Sequence, residues 1–383
     1  MTPFNKPFIV GNELNYISDA VSRGHLSGDG YYTLECHRWL EEKFNIKKAL
    51  LTHSCTAALE MTALLSKIKP GDEVIMPSYT FVSTANAFAL RGAIPVWCDI
   101  RPDTLNIDET KIEELITERT RAVIVVHYAG VAAEMQHIME ITSCRGIYVI
   151  EDAAQAIGST VNGQYLGTIG HFGTYSFHET KNFISGEGGA LAINDSSFIE
   201  QAEIIREKGT NRSLFFRGEV DKYTWIDLGS SYLPSEIIAA FLFAQLDKYE
   251  QIYSRRKEIY ACYHDGLFPL ENQGLLRLPT IPINCNHNAH LFYLILNDTA
   301  SRNALIKYLG KNDVLTVFHY IPLHSSPGGR KYGSCRQSME FTESCAERII
   351  RLPCFYELEI EEVERIIDLI HRFFKSFNHA SST

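Results

Sequence analysis

The chain has 383 residues, a formal net charge of −10 and a hydrophobic content of 45%. This length exceeds that of a typical single domain, so we expect two domains. The acidic balance argues against a nucleic-acid partner, because proteins that bind nucleic acid usually carry a basic face. The apolar runs are strand-sized and fall well short of the about 20 residues that cross a bilayer, so we expect no membrane association.

The N-terminal sequence and the cysteines favour a cytoplasmic protein. The opening residues, MTPFNKPFIVGNEL, lack the basic stretch and long apolar core of a secretory signal. The nine cysteines are odd in number and show neither CxxC spacing nor another metal-ligand pattern. We therefore expect reduced, mostly buried thiols and no metal.

Strand-like and helix-like segments alternate through the first part of the chain. Such alternation predicts βαβ units, an α/β class and a mostly parallel sheet. The predicted strands are 49–52, 73–76, one that ends at Asp99, 121–130, 147–152, 174–177 and 190–194. The predicted helices between and after them include 55–68, 135–142 and 197–208.

A charged segment, DKYEQIYSRRKEIY, predicts a helix that links a large domain, residues 1–247, to a small domain, residues 248–383. Beyond it, 288–296 and 314–324 read as antiparallel strands. Amphipathic segments that read as helices packed against them are 301–310, 341–350 and 361–374. This part of the chain therefore predicts a smaller α+β domain.

One lysine, Lys181, lies between a short strand and a glycine-rich loop in the segment GHFGTYSFHETKNFISGEGG. Upstream, the apolar strand 147–152 ends in Asp152, and Gln155 follows. Ligands of open α/β sheets bind at the carboxyl ends of the strands. An acid and an amine delivered there suggest a pyridoxal phosphate site, in which the lysine bonds covalently to the cofactor and the aspartate pairs with its ring nitrogen.

The predicted helix that begins at residue 55 is a second candidate binding feature. Ser54 and Thr56 are placed to cap its first turn, directly after a short strand. A strand that feeds a capped helix presents unpaired N–H groups, which can hold an anion. A plain N-cap without a ligand is the alternative.

Other chemistries lack their signatures. The sequence contains no GxGxxG, no GxxxxGK[ST] and no GxSxG. His127 and His171 lie at predicted strand ends without a companion at metal spacing, so we interpret both as neutral packed or solvated histidines. Cys55 lies beside a helix start, which can lower the pKa of a thiol. It has no evident partner base, and we interpret it as a loop thiol.

Several segments, in this order, resemble the DegT-type sugar-nucleotide aminotransferases, which are pyridoxal phosphate enzymes of fold type I: SYTFVSTANA, IEDAAQA, YSFHETKN, GEGGAL and FHYIPLH. The likeness covers essentially the whole chain. It implies pyridoxal 5'-phosphate as the cofactor, and a large domain with a mostly parallel sheet followed by a smaller α+β domain. It also implies a homodimer with shared active sites.

The resemblance assigns roles to residues at matching positions. Lys181 would hold the cofactor and then move a proton between the two carbons that flank the nitrogen, which requires a partly neutral amine. Asp152 would stay ionised against the ring nitrogen, and Gln155 would hydrogen-bond the phenolic oxygen. Phe81 would stack on the ring, the alternative being a core aromatic.

The resemblance also places the phosphate. The backbone amides of Thr56 and Ala57 and the hydroxyl of Ser176 would hold it. Many family members reach the phosphate from the neighbouring subunit with an asparagine in GYNYRMSE. This chain reads GSSYLPSE, with Ser231 at that place and Leu233 where arginine is common. Residues implied to border the sugar or nucleotide are Glu187, His319 and Tyr320.

Longer segments, such as AEIIREKGTNRS and VDKYTW, are similar to family members that aminate dTDP-4-keto-6-deoxy-D-glucose. The resemblance implies L-glutamate as amino donor and dTDP-4-amino-4,6-dideoxy-D-galactose as product. That product would serve a surface glycan such as enterobacterial common antigen or the O-antigen of lipopolysaccharide. The gluco epimer, a 3-amino sugar and a non-catalytic regulatory homologue are alternatives. Relatives that remove a hydroxyl group instead of transferring an amine carry histidine in place of the lysine. The lysine in FHETKN disfavours that activity for this chain.

Overall fold

A computed structural model describes residues 1–380, with side chains described through residue 376. The last three residues, which the predicted small domain includes, lie outside the described residues. The α-helices are α1 (Glu13–Ser22), α2 (Tyr31–Phe44), α3 (Cys55–Leu65), α4 (Val82–Ala89), α5 (Met135–Ser143), α6 (Ile199–Arg206), α7 (Arg212–Phe216), α8 (Glu236–Asp247), α9 (Tyr249–Asn272), α10 (Thr299–Lys311), α11 (Pro327–Tyr332), α12 (Glu340–Arg348) and α13 (Ile360–Ala380).

The strands of residues 1–380 form three sheets. In chain order they are β1 (Lys48–Thr52), β2 (Glu73–Pro77), β3 (Ile94–Cys98), β4 (Thr120–Val126), β5 (Tyr148–Asp152), β6 (Thr160–Val161), β7 (Gln164–Tyr165), β8 (Phe172–Ser176), β9 (Gly189–Ile193), β10 (Leu276–Arg277), β11 (Cys285–Asn286), β12 (Phe292–Leu296), β13 (Ser334–Cys335) and β14 (Ile349–Leu352). Within the described residues, no helix is long and apolar enough to cross a membrane.

The large sheet has eight strands in the order β1-β9-β8-β5-β4-β2-β3-β13. The pairs from β8 through β13 are parallel, whereas β9 pairs antiparallel with both β8 and β1. The predicted mostly parallel α/β sheet is therefore confirmed. Because β8 and β9 are antiparallel neighbours, the loop that joins them lies at the end of the sheet where the parallel strands have their carboxyl ends. This loop carries Lys181.

Side chains of the central strands alternate between two buried layers. In β4, Ala122 and Ile124 pack with the cluster that contains α3 and α4. The alternating residues Val123 and Val125 pack on the opposite face of the sheet, with α5. Both faces are covered, which explains why these strands read as continuous apolar runs. Burial of each large side chain contributes about 1.5–3 kcal/mol, so the sheet is a rigid base for the site.

The C-terminal part of the chain builds a second hydrophobic cluster. Helices α9, α10 and α13 pack against the antiparallel sheet β10-β12-β14. The predicted boundary after residue 247 coincides with the junction of α8 and α9. However, β13 returns from this part to the edge of the large sheet, where it pairs with β3. The division into residues 1–247 and 248–383 stays a prediction.

Two predicted C-terminal elements differ in the structure. The segment 314–324 is not a strand, because Val314 and Val317 form isolated bridges and no continuous ladder. Pro322, which lacks an N–H donor, limits pairing further. The helix predicted over 341–350 ends at Arg348, and the following residues form β14 against β12. Hydrogen bonding to β12 in the small sheet overrides the local helical pattern from Ile349 onward.

The start of α2 is capped by a side chain from α8. The carboxylate of Glu236 is 1% exposed and accepts hydrogen bonds from the backbone N–H groups of Gly30, Tyr32 and Thr33, at 3.1, 2.7 and 3.1 Å. A Cβ atom at Gly30 would lie 2.6 Å from the Glu236 carboxyl carbon, so glycine permits this approach. A carboxylate at a helix N-terminus also interacts favourably with the helix dipole.

We expect Glu236→Ala to lower the free energy of unfolding by roughly 3 kcal/mol, because it leaves buried N–H groups without acceptors. Urea denaturation measures the loss. Glu42→Ala, at an exposed position of α2, is the matched control and should change stability by less than about 0.5 kcal/mol. Equal, small effects of the two substitutions would show that the cap contributes little.

Candidate active site

A cavity of about 730 Å³ lies at the carboxyl ends of β4, β5 and β8. Its wall brings together most of the site residues that the sequence predicts. The predicted residues on the wall are Thr56, Phe81, Asp152, Gln155, Ser176, Lys181, Glu187, His319 and Tyr320. Ala57 and Ser231 do not line it. The parallel strands therefore deliver an acid and a hydroxyl to the position where α/β folds bind ligands.

Asp152 is the last residue of β5 and is 6% exposed. Its carboxylate accepts hydrogen bonds from Thr84 Oγ1 at 2.8 Å and from the N–H of Ala154 at 3.2 Å. The Thr84 hydroxyl lies 2.8 Å from that of Thr80. Burial raises the pKa of Asp152, and the Thr84 hydrogen bond opposes that rise. A cationic ring N–H against this carboxylate would favour its ionised form.

The preceding residue, Glu151, ties the site's strands together. It accepts hydrogen bonds from three backbone N–H groups of the loop before β8, at 2.6–2.7 Å. His127 Nε2 lies 2.8 Å from this carboxylate, and His127 Nδ1 accepts from the N–H of Ala133. His171 Nδ1 likewise accepts from the N–H of Val149. Each histidine therefore has a ring nitrogen without a proton, which agrees with their interpretation as neutral packed side chains.

Lys181 lies in the loop between β8 and β9, where its N–H donates to His178 O at 2.9 Å. Burial lowers the pKa of its amine, while the charge of the nearby Asp152 carboxylate acts in the opposite direction. The environment thus favours the partly neutral amine that proton transfer requires. Burial also raises the pKa of the Cys55 thiol, so the helix start does not activate it.

The start of α3 is open toward the cavity. Ser54 Oγ accepts from the N–H of Ala57 at 3.1 Å, as a plain N-cap does. The N–H groups of Cys55 and Thr56 precede the first intrahelical donors and remain available to an anion. A Cβ atom at Gly189 would lie 2.4 Å from the Cys55 nitrogen, so glycine lets β9 approach this turn. A phosphate contact by Ala57 would have to share the N–H that caps the helix.

Gln155 joins the two sides of the cavity. Its Oε1 accepts from the N–H of Ala129 and its Nε2 donates to Tyr320 Oη, both at 2.8 Å. The amide has a second N–H, which can serve a ligand. Tyr320 stacks on His319 with ring centroids 3.7 Å apart, and His319 Nδ1 lies 2.6 Å from Tyr128 Oη. Burial lowers the pKa of His319 and raises that of Tyr320, so both are neutral at pH 7.

The other predicted residues differ in position. Phe81 is 56% exposed on the wall, which excludes its alternative as a core aromatic in this chain. Glu187 lies at the rim, 3.7 Å from His178 Nε2. Ser231 is exposed and forms a backbone bridge to Glu207, outside its own cavity. A role for Ser231 therefore requires a second subunit.

The wall also contains residues that were not predicted from the sequence, among them Thr84, His290 and Arg351. Thr84 lies within the quoted motif SYTFVSTANA, and its spacing of one helical turn from Thr80 could have identified it. His290, whose Nδ1 lies 2.8 Å from Asn182 Oδ1, and Arg351 belong to the C-terminal part. Packing of that part against the sheet brings them to the wall, and no local pattern indicates this.

These residues fit pyridoxal 5'-phosphate. The open start of α3 suits its phosphate, Asp152 its ring nitrogen, Phe81 one ring face and Lys181 its carbonyl carbon. When bound, the cofactor supplies a ring that withdraws electrons from the carbon that loses a proton. Lys181 Nζ can accept that proton and return it to the neighbouring carbon. Fold and site define a pyridoxal phosphate-dependent aminotransferase of fold type I.

Comparison with known proteins gives the family. Residues 7–371 match the model of the DegT/DnrJ/EryC1/StrS aminotransferase family, and the chain belongs to this family. It is a sugar aminotransferase that uses pyridoxal phosphate. An uncharacterized protein of Methanocaldococcus jannaschii, MJ1066, is 35% identical over 379 residues, with 97% of each chain covered.

Two further relatives are informative. GDP-perosamine synthase of Escherichia coli O157:H7 is 29% identical over 376 residues, covering 97% of this chain and 98% of that protein. The sugar aminotransferase candidate Spr1654 of Streptococcus pneumoniae is 26% identical in its PLP form, with a TM-score of 0.88 and 98% of both chains covered. Its PMP form superposes with a TM-score of 0.90, covering 98% of this chain and 100% of that one.

We expect Thr84→Val to shift the acidic limb of the pH–activity profile to higher pH. The substitution removes a hydrogen bond that lowers the pKa of Asp152, so the carboxyl becomes neutral at a higher pH and loses its pairing with the ring nitrogen. Steady-state rates between pH 5 and 8, about the range that proteins tolerate, measure the shift.

Thr142→Val is the control, because Thr142 is also buried and donates within its own helix, α5, away from the cavity. It should leave the profile unchanged. An acidic limb that does not move in Thr84→Val would contradict the role of this hydrogen bond.

Proposed function

We propose that the protein transfers the amino group of L-glutamate to C4 of dTDP-4-keto-6-deoxy-D-glucose. The products would be 2-oxoglutarate and dTDP-4-amino-4,6-dideoxy-D-galactose, for surface glycan synthesis in the cytoplasm. The observation that carries the aminotransferase chemistry is the convergence of Lys181, Asp152 and the open start of α3 on one cavity. The likeness of longer segments to dTDP-4-amino-4,6-dideoxygalactose transaminase supports the choice of sugar.

A GDP-linked 4-keto-6-deoxy sugar is the second candidate substrate. The relatedness to GDP-perosamine synthase over nearly the whole chain favours it. Both candidates present a ketone next to a small apolar substituent, so the same lysine would serve either. They differ at the nucleotide, which lies far from Lys181.

Product analysis tests this proposal. The purified protein, with pyridoxal phosphate and L-glutamate, is given the dTDP-linked or the GDP-linked keto sugar, and the product is resolved by NMR. We expect an axial amine at C4 of the dTDP sugar. An equatorial amine or one at C3 would contradict the galacto assignment, and turnover of the GDP sugar alone would establish the second candidate.

We expect Lys181→Ala to lose the visible absorbance of lysine-bound cofactor and to lower turnover by roughly 10²–10⁴-fold or more. The measurement is an absorbance spectrum of the loaded protein together with product formation. Lys307→Ala, at an exposed position of α10 outside the cavity, is the control. Normal turnover in Lys181→Ala would contradict the mechanism. A wild-type protein that binds keto sugar but turns over neither candidate would support the regulatory alternative.

We further propose that the active protein is a homodimer in which Ser231 reaches the cofactor phosphate of the neighbouring subunit. The segment before Ser231 exposes large apolar side chains, with Phe216 70%, Trp225 72% and Leu228 55% exposed. Apolar surfaces of this kind support a contact with another protein surface. An isologous dimer would cover this segment in both copies.

Mixed dimers test the shared site. We expect Lys181→Ala and Ser231→Glu, the latter placing a charge against the phosphate, each to be inactive as homodimers. Co-expressed subunits that pair at random should recover about a quarter of wild-type activity, because each mixed dimer has one intact site. Full activity of Ser231→Glu, or no recovery in the mixture, would contradict a shared site.

A further inference from the structure

Arg351 presents a guanidinium to the active-site cavity without an acidic partner. It is half-buried in β14, and its Nε and Nη2 donate to Phe318 O at 3.2 and 3.1 Å. Its Cζ lies 4.7 Å from the ring centroid of Phe4. Among the side chains described through residue 376, no carboxylate forms an ion pair with it, and its Nη1 has no hydrogen bond.

The balance of charges on the described part of the cavity wall leaves this guanidinium without an anionic partner. The described wall carries two acids, Asp152 and Glu187, and two lysine or arginine cations, Lys181 and Arg351. Asp152 faces the cofactor ring and Lys181 reacts, so the remaining cation has no assigned partner. A guanidinium that loses water needs an anion to offset the desolvation. The carbonyl of Phe318 fixes its orientation but leaves its charge unbalanced.

We propose that Arg351 binds the α-carboxylate of the amino donor. This inference rests on the proposed use of L-glutamate. The guanidinium offers a planar pair of N–H groups, the geometry that a carboxylate accepts. A single carboxylate seated on Arg351 would also hold the donor nitrogen in a fixed orientation toward Lys181.

Distance favours the donor carboxylate over the diphosphate of the sugar nucleotide. A carboxylate oxygen lies about 2.4 Å from the carbon that bears the transferred nitrogen, so its partner must be close to Lys181. The diphosphate is separated from C4 by the width of the sugar ring and lies further out. Arg351 and Lys181 line the same cavity and are linked through neighbouring residues. The neighbour of Lys181, Asn182, has its Oδ1 2.8 Å from His290 Nδ1. Strand β12 begins two residues after His290 and pairs Tyr293 with Arg351.

The two half-reactions, measured separately, test the proposal. L-Glutamate or its α-carboxamide, L-isoglutamine, is added to the cofactor-loaded protein, and the loss of visible absorbance is followed. The keto sugar is then added to the aminated form and the return of absorbance is followed. The variants are Arg351→Gln and Arg351→Lys. Arg348→Gln is the control, because Arg348 is also half-buried but bonds within its own helix through Ser344.

We expect Arg351→Gln to raise the apparent Kd for L-glutamate by about 10- to 100-fold and to remove the preference over L-isoglutamine. Arg351→Lys keeps the positive charge but lacks the planar pair of N–H groups. We expect it to weaken L-glutamate binding less than Arg351→Gln does. The sugar half-reaction, the cofactor absorbance and the melting temperature should stay at the Arg348→Gln values.

Retained discrimination between glutamate and isoglutamine in Arg351→Gln would overturn the proposal. So would equal slowing of both half-reactions, which indicates a structural role at Phe4 and Phe318. A defect confined to the sugar half-reaction would assign the guanidinium to the diphosphate and would also overturn it. Failure of wild-type protein to react with glutamate would instead refute the proposed donor.

Discussion

Two adjacent carboxylates at the end of β5 point to opposite sides of the sheet, and the rest of the site depends on both. Successive side chains in a strand alternate in direction, so Glu151 turns inward while Asp152 faces the cavity. Glu151 is fully buried and is satisfied by backbone N–H groups of the loop before β8. The loop is thereby fixed to β5, which sets the position of β8, of Ser176 at its end and of the loop that carries Lys181.

Burial prepares the chemistry in two opposite ways. It disfavours the charged form of any group, so it raises the pKa of Asp152 and lowers that of Lys181. The lowered lysine pKa serves proton transfer directly. The raised aspartate pKa works against its role, and the chain compensates with the hydroxyl of Thr84 and the N–H of Ala154. Thr84 therefore belongs to the candidate site together with Asp152.

The large-sheet half of the site could be predicted from sequence because its residues end strands. Asp152, Ser176 and Lys181 follow apolar runs, and carboxyl ends of parallel strands converge whatever the details of packing. The helix start at Ser54 has a recognisable cap. Thr84 could also have been predicted, from its spacing of four residues from Thr80. Exposure of Phe81, by contrast, depends on what surrounds it in space, which no sequence period encodes.

On the opposite wall, His319 and Tyr320 could be named only from the family resemblance, because local pattern does not indicate how this backbone folds. Residues 314–324 have the composition of a strand, but they pair at isolated bridges and turn His319 and Tyr320 into the cavity. Arg351 lies on β14, which begins at Ile349, within the last two residues of the helix predicted over 341–350. Local preference fails where function requires backbone that is neither helix nor ladder. The wall that would hold the cofactor follows from regular strands and helix starts. The opposite wall combines irregular backbone at His319 and Tyr320 with Arg351 of β14. Substitutions on that second wall can change the substrate while the cofactor chemistry is preserved.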